Sequence, residues 1–215
     1  MSFTDFKGAV FDLDGTLVES NYVWSEIDKK FLGKRGIAVP ADYFKAVSAM
    51  NYRAAAVYTN RRFSLNENIE DIMQEWVDMA EYEYANNVQL VSGADKYLKL
   101  LKSKGIKICL ATASSKELYE PVLKHHGIYE LFDTFTTTSE VERGKGFPDV
   151  YELAAKKISL PPKDCAVFED IIEGIRGAKA GSFTAVACLN SHYIADWQQL
   201  KTESDKFFSD YSELM

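Results

Sequence analysis

Short apolar runs alternate with amphipathic segments along most of the chain. The apolar runs are typical of buried strands, whereas the segments between them place apolar residues at helical spacing. The predicted strands lie within residues 7–12, 106–112, 132–138, 165–170 and 183–189, and the predicted helices within residues 93–105, 115–127, 147–159 and 173–181. Strand–helix alternation implies right-handed crossovers, so the pattern predicts an α/β fold: a parallel sheet with helices on both faces.

A block of helical pattern interrupts this alternation after the first predicted strand. Val23, Ile27 and Phe31 recur at helical spacing, and a second apolar stripe includes Ile72 and Trp76. Residues from about 20 to 88 therefore have almost entirely helical periodicity. We predict a core domain formed by residues 1–18 and 90–215, with residues 19–89 inserted into it as an α-helical cap domain.

Composition and charge disfavour several classes of protein. Of the 215 residues 47% are hydrophobic, the formal net charge is −7, and the three cysteines match no zinc motif. Nucleic-acid binding needs a positive face, so it is not expected. No apolar stretch reaches the roughly 18 residues of a membrane span, and the N-terminus lacks a signal-peptide pattern. We expect a cytoplasmic monomer that binds neither nucleic acid nor membranes.

Pairs of carboxylates follow two of the predicted strands. Asp12 and Asp14 lie in the segment FDLDGTL at the end of the first strand, and Glu169 and Asp170 end the strand AVFED. Ligands of open parallel sheets bind at the carboxyl ends of the strands, so these four side chains are expected to converge. Clustered carboxylates repel each other unless a cation binds, and their hard oxygen atoms suit Mg²⁺.

A possible phosphate seat follows another strand. Thr112, Ala113 and Ser114 lie between the strand IKICLAT and a helix, where backbone amides can bind an anion. Lys145 precedes a further helix and supplies a positive charge. A metal ion, an ammonium group and amides together match the charge that develops during phosphoryl transfer.

In order and spacing, these segments resemble the four motifs of the haloacid dehalogenase-like (HAD) hydrolase superfamily. The motifs correspond to DLDGT, LATAS, GKGFPDVY and FEDIIEGI, and the resemblance covers essentially the whole chain. The most similar branch is the β-phosphoglucomutase-like group of phosphatases and phosphomutases. The resemblance implies a Rossmann-like core with an inserted cap, and a Mg²⁺-dependent phosphatase for a small phosphate monoester such as a sugar phosphate or nucleotide.

The resemblance also implies a role for each catalytic residue. Asp12 would be the nucleophile that forms an aspartyl-phosphate. Asp14 would protonate the leaving oxygen and then activate water; its presence favours phosphate-ester chemistry over dehalogenation. Thr112 and Lys145 would bind the transferring phosphoryl group, together with the amides of Ala113 and Ser114.

The implied magnesium site uses some of the same residues. The side chains of Asp12 and Asp170 and the carbonyl group of Asp14 would hold the ion, with Glu169 either beside it or coordinating it directly. The chain departs from the family pattern at Gly146, where proline is frequent, and at Ile171, where serine or threonine is frequent. Neither departure removes a charge or a ligand.

Two functional alternatives stay open on the sequence. A phosphomutase of this group has a histidine in the first cap helix, whereas this chain has Trp24 near that place. A non-catalytic binding or regulatory protein could keep the fold, although the complete catalytic set argues against it. Arg53 could bind a distal phosphate or carboxylate of the substrate, or it could be an exposed arginine at the start of a helix.

Overall fold

The computed structural model describes residues 3–47, 50 and 52–215, and it divides the chain into two compact units. One unit comprises Met1–Asn21 and Val88–Met215, and the other comprises Tyr22–Asn87. We refer to them as the sheet unit and the helical unit. None of the described helices is both long and apolar enough to cross a bilayer.

The sheet unit is built on six parallel strands within the described residues. Their order across the sheet is β3-β2-β1-β4-β5-β6. The strands are β1 Gly8–Phe11, β2 Lys107–Thr112, β3 Thr134–Thr137, β4 Cys165–Glu169, β5 Thr184–Cys188 and β6 Lys206–Phe208. The helices of this unit are α5 Ala94–Ser103, α6 Lys116–His125, α7 Asp149–Lys157, α8 Ile172–Ala180 and α9 Trp197–Glu203. The predicted Rossmann-like α/β fold is confirmed, and β6 is a strand that the sequence pattern does not reveal.

Both faces of the sheet are buried because its central strands are apolar on both sides. Val10 and Val167 belong to a core cluster with Tyr151 of α7 and Ile175 of α8. The neighbouring Phe11 has its ring stacked on that of Phe168, with centroids 4.4 Å apart. Adjacent residues of a strand point to opposite faces, so β1 and β4 contribute to both cores.

The helical unit consists of α1 Val23–Lys34, α2 Tyr43–Val47, α3 Tyr52–Arg62 and α4 Ile69–Asn86. Asn68 caps the N-terminus of α4, and its side chain accepts a hydrogen bond from the amide of Glu70 at 2.8 Å. Phe31 of α1 packs against Trp76 of α4 with ring centroids 5.4 Å apart. The apolar stripes predicted from the sequence therefore pack against each other.

The two chain segments that lead to the helical unit pair with each other inside the sheet unit. Val18 and Leu90 form an antiparallel bridge. The amide of Glu19 donates to the carbonyl of Gln89 at 2.8 Å, and the amide of Val91 donates to the carbonyl of Leu17 at 2.9 Å. We call residues 17–20 and 89–91 the paired linker; its hydrogen bonds fix the backbone on either side of the inserted unit.

The C-terminal segment completes the sheet unit and supports the loop after β1. The hydroxyl of Tyr211 is buried and donates to the carbonyl of Thr16 at 3.0 Å. Thr16 lies in the loop that carries Asp12 and Asp14, so residues near opposite ends of the chain are joined at this point.

We predict that Tyr211→Phe lowers the free energy of unfolding by about 1–2 kcal/mol, because the carbonyl of Thr16 loses a buried donor. Urea unfolding measures this change. The matched control is Tyr82→Phe at a tyrosine that is 62% exposed, where a change within about 0.5 kcal/mol is expected. Equal effects of the two substitutions would contradict the proposed support of the loop.

Candidate active site

The parallel sheet brings three carboxylates together at the carboxyl ends of its two central strands. Asp12 directly follows β1, and its amide donates to the carbonyl of Phe168 at 3.0 Å. Glu169 ends β4, the neighbour of β1, and Asp170 follows it. All three side chains are buried, and each offers an oxygen atom within 4.8 Å of the others.

Lys145 is the cation that the structure places against this cluster. Its ammonium group contacts Oδ1 of Asp12 and lies 2.8 Å from Oε1 of Glu169. The hydroxyl of Tyr151 also donates to Oε1 of Glu169, at 2.9 Å. A Cβ atom at Gly177 would collide with the backbone carbonyl of Lys145, so α8 contacts the lysine loop closely and fixes its path.

Asp14 lies beyond Asp12 on a tight turn. Gly15 has a φ of +82°, a conformation that glycine adopts without steric cost, and its amide donates to the carbonyl of Val18 at 2.8 Å. The two carboxylate oxygens of Asp14 accept hydrogen bonds from the hydroxyls of Ser20 and Ser114, both at 2.6 Å. The turn therefore separates the two aspartates into different environments.

The predicted phosphate-binding loop, residues 112–114, is held by a hydrogen bond within it. Thr112 is buried at the end of β2, and its hydroxyl accepts a hydrogen bond from the amide of Ser114 at 2.9 Å. Ala113 between them is exposed, and α6 begins at Lys116. This loop thus joins the sheet edge to a helix N-terminus, which suits an anion.

The electrostatics of the cluster are unfavourable without a second cation beside Lys145. Burial raises the pKa of Asp12 to about 8; Lys145 opposes this rise, and the negative charges of Glu169 and Asp14 add to it. Burial and the charges of Asp12 and Glu169 raise the pKa of Asp170 well above its usual range. Burial lowers the pKa of Lys145, but the charges of Asp12 and Glu169 outweigh that effect and raise it.

The donor atoms fit a magnesium ion. Oε2 of Glu169 and Oδ2 of Asp170 are buried, and neither has a hydrogen-bond partner among the described residues. A buried carboxylate oxygen without a partner is costly. A hard cation bound by oxygen atoms would satisfy both, and the ionised oxygen ligands of Asp12, Glu169 and Asp170 are of the kind that Mg²⁺ prefers.

Three residues that the sequence does not single out contact this site. Ser20 and Tyr151 hydrogen-bond to the side chains of Asp14 and Glu169, as described above. The side-chain amide of Asn190 donates to the carbonyl of Gly15 at 2.8 Å. Tyr151 ends the segment GKGFPDVY, but neither that segment nor the positions of Ser20 and Asn190 in the sequence reveal these contacts, which depend on the folded geometry of the loops and strands.

Arg53 lies in the helical unit, near the start of α3. Its guanidinium group forms an ion pair with Glu70 at 2.7 Å, and its side chain is 62% exposed. Trp24 of α1 is 38% exposed and meets the ring of Tyr52 edge-on, with centroids 5.9 Å apart. Their predicted roles toward a substrate stay predictions.

The comparison with protein families agrees with the motif pattern. The model for haloacid dehalogenase-like hydrolases matches residues 6–181. The chain belongs to the haloacid dehalogenase-like hydrolase family. The predicted family is thereby confirmed, as is the prediction of a hydrolase.

Relatives of this HAD hydrolase include named phosphatases. A probable pseudouridine-5'-phosphatase of Drosophila melanogaster is 28% identical over 82% of this chain and 79% of the relative. A bifunctional riboflavin kinase/FMN phosphatase of Arabidopsis thaliana is 28% identical over 83% of this chain, which spans only 47% of that protein. A crystal structure from Thermotoga maritima, provisionally described as a β-phosphoglucomutase, has a TM-score of 0.82 and 19% identity, covering 97% of this chain and 96% of that chain. The structural similarity shows the shared fold.

The raised pKa of Asp12 predicts how pH and magnesium affect the stability of this HAD hydrolase. The folded-state pKa of about 8 lies above the ordinary 3.8. The metal-free folded protein therefore retains a proton that the unfolded chain releases, and raising the pH from about 4 to about 8 lowers the free energy of unfolding. Because Mg²⁺ competes with that proton, its stabilising effect is expected to increase over the same pH range.

Thermal unfolding at pH 5 and pH 8, with and without Mg²⁺, measures both effects. Asp12→Asn is the matched variant, since it removes a titrating carboxylate and a charged ligand while keeping the shape; its response to Mg²⁺ should be smaller and less dependent on pH. An equal rise in Tm with Mg²⁺ at both pH values for the parent protein would contradict the prediction.

Proposed function

We propose that this chain is a Mg²⁺-dependent phosphatase that hydrolyses a small phosphorylated metabolite through an aspartyl-phosphate at Asp12. The observation that carries the proposal is the arrangement around Asp12: Lys145 contacts one of its oxygens, while the carboxylates of Glu169 and Asp170 lie beside it. Asp14 is held separately by two serine hydroxyls. A nucleophile, a cation and a separate proton donor are what hydrolysis by this route requires.

The proposed reaction has two steps. In the first, an oxygen of Asp12 forms a bond to phosphorus as the bond to the leaving oxygen breaks. The proton of the Asp14 carboxyl group passes to that leaving oxygen, which keeps the electron pair of the broken bond. In the second step the Asp14 carboxylate takes a proton from water as the water oxygen attacks phosphorus. The bond to Asp12 then breaks, and its electron pair returns to the Asp12 carboxylate.

The surrounding groups hold the phosphoryl oxygens and their charge. Lys145, the hydroxyl of Thr112 and the amides of Ala113 and Ser114 would bind those oxygens in both steps. Asp12, Asp170 and the carbonyl of Asp14 would hold magnesium, with Glu169 as a neighbouring or direct ligand. When bound, the ion supplies positive charge to the phosphoryl oxygens and offsets the repulsion between the carboxylates.

The substrate class is a phosphate monoester such as a sugar phosphate or a nucleotide. The phosphatase names of the Drosophila and Arabidopsis relatives support this class. A phosphomutase is an alternative function on the sequence. The similarity to a mutase-like structure at 19% identity does not support it, because that similarity concerns the fold alone. The first helix of the helical unit has Trp24 near the place where such mutases have a histidine, which favours the phosphatase.

We predict that Asp12→Asn lowers turnover of p-nitrophenyl phosphate at least about 1,000-fold, equivalent to about 4 kcal/mol of activation free energy. The substitution keeps the side-chain shape but removes the attacking charge, so the folded structure should persist. Steady-state kinetics and circular dichroism measure the two effects. The control is Asp95→Asn, at an aspartate on α5 that pairs with Lys99, which should keep parental activity. Turnover by Asp12→Asn within tenfold of the parent would refute the nucleophile.

We predict that residues 22–87 influence the choice of substrate. Arg53→Ala should change kcat/KM about tenfold for an anionic metabolite, and Trp24→Ala should do so for one with a ring. Arg53→Ala should alter p-nitrophenyl phosphate turnover much less, and Trp24→Ala should alter turnover of a small phosphate ester without a ring much less. Arg176→Ala is the matched control, because Arg176 is also exposed and pairs with a glutamate, at 2.7 Å. A screen of phosphorylated metabolites provides the substrates; unchanged profiles in both variants would contradict the two assignments.

A further inference from the structure

Ser20 is a buried hydroxyl that the proposed reaction has not yet used. The residue is only 2% exposed, and its Oγ donates to Oδ1 of Asp14 at 2.6 Å. A buried hydroxyl is costly unless it has a hydrogen-bond partner. A hydrogen bond between a hydroxyl and an ionised carboxylate is also among the short, strong ones. The hydrogen bond therefore stabilises the positions of both side chains.

Ser20 is held in place by its position in the chain. It directly follows Glu19, whose amide donates to the carbonyl of Gln89, and Val18 pairs with Leu90 in the paired linker. Asp14 lies on the turn closed by the hydrogen bond from the amide of Gly15 to the carbonyl of Val18. The backbone of both partners is thus fixed by hydrogen bonds, and the distance between Ser20 and Asp14 is set by the fold.

A second serine contact helps to fix the orientation of the Asp14 carboxyl group. The hydroxyl of Ser114 donates to Oδ2 of Asp14 at 2.6 Å, from the loop after β2. An aspartate carboxyl group rotates within a broad energy well about its last torsion. Two hydroxyls on separate segments, one at each oxygen, restrict that rotation and fix the plane of the carboxyl group.

Serine is suited to a group that changes its protonation state. A hydroxyl can donate a hydrogen bond to a carboxylate oxygen or accept one from a protonated oxygen. The contact between Ser20 and Asp14 can therefore persist before and after Asp14 transfers its proton. An alanine would leave the oxygen without this partner, and a purely donating side chain would oppose the protonated form.

We infer that Ser20 is a positioning residue that orients the Asp14 carboxyl group for proton transfer to the leaving oxygen. This inference rests on the proposed phosphatase function. It assigns Ser20 no contact with the substrate. It requires that loss of the Ser20 hydroxyl impairs steps in which Asp14 must deliver a proton and spares steps in which it need not.

Two aryl phosphates distinguish a step that needs a proton from Asp14 from one that does not. The leaving group of p-nitrophenyl phosphate departs as a stable anion, whereas that of phenyl phosphate depends more on protonation. The ratio kcat/KM includes only steps up to departure of the leaving group, so it isolates proton delivery from the later attack of water. For Ser20→Ala we expect kcat/KM to fall about tenfold or more with phenyl phosphate and less than about threefold with p-nitrophenyl phosphate.

Two further variants and a stability measurement complete the experiment. Ser20→Thr keeps the hydroxyl and should restore most of the phenyl phosphate activity. Ser103→Ala removes a serine hydroxyl that donates to the carbonyl of Leu100 on an exposed helix surface, and it should resemble the parent with both substrates. Thermal unfolding of each variant identifies any that has lost the folded structure.

The outcomes distinguish this inference from the proposed function. A selective loss with phenyl phosphate, rescued by Ser20→Thr, supports the positioning role. Equal losses with both substrates in a folded Ser20→Ala protein, or no loss with either, would overturn that role while leaving the phosphatase function intact. A parent protein without activity on any phosphate monoester would refute the proposed function and this inference with it.

Discussion

Mutual repulsion among Asp12, Glu169 and Asp170 is the constraint around which the candidate site is built. These carboxylates are buried at the carboxyl ends of adjacent strands, and Lys145 is the one ammonium group found against them in the described part of the chain. Burial raises the pKa values of Asp12 and Asp170, and the neighbouring negative charges add to the rise, because one ammonium group cannot neutralise three carboxylates. Such an arrangement destabilises the ionised cluster unless a further cation binds, and it would couple the stability of the fold to binding of the proposed magnesium ion.

The rest of the sheet unit holds this unfavourable cluster in place. Tyr151 and Lys145 both contact Oε1 of Glu169, which leaves the other oxygen of Glu169 for a cation. The loop after β1 is fixed at its carbonyl groups by Asn190 and Tyr211. These contacts come from the far end of the chain, so the C-terminal segment contributes to the geometry of the first motif.

The sequence predicts the parts of the molecule that depend on local pattern. Alternating apolar runs and amphipathic segments predict the five longer strands, and the ends of those strands predict that Asp12, Glu169 and Asp170 lie close together. The three-residue strand β6 has no such pattern, because Phe207 is exposed and only Phe208 is fully buried. Its pairing with β5 depends on tertiary packing rather than on its own composition. Likewise, Ser20 and Tyr151 become part of the site only through contacts that a single sequence does not display.

The proposed division between chemistry and substrate choice follows the two units of the chain. The residues assigned to the two reaction steps, Asp12, Asp14, Thr112, Lys145, Glu169 and Asp170, all belong to the sheet unit, whereas Arg53 belongs to the helical unit. The partner of Arg53 is Glu70, and both side chains are 62% exposed. An exposed ion pair of this kind contributes only about 0–1 kcal/mol, since water competes with it and salt screens it. Replacing Glu70 by a substrate anion as the partner of Arg53 would therefore cost little free energy. Arg53 could thus change its partner while the contacts of the proposed catalytic residues stay the same.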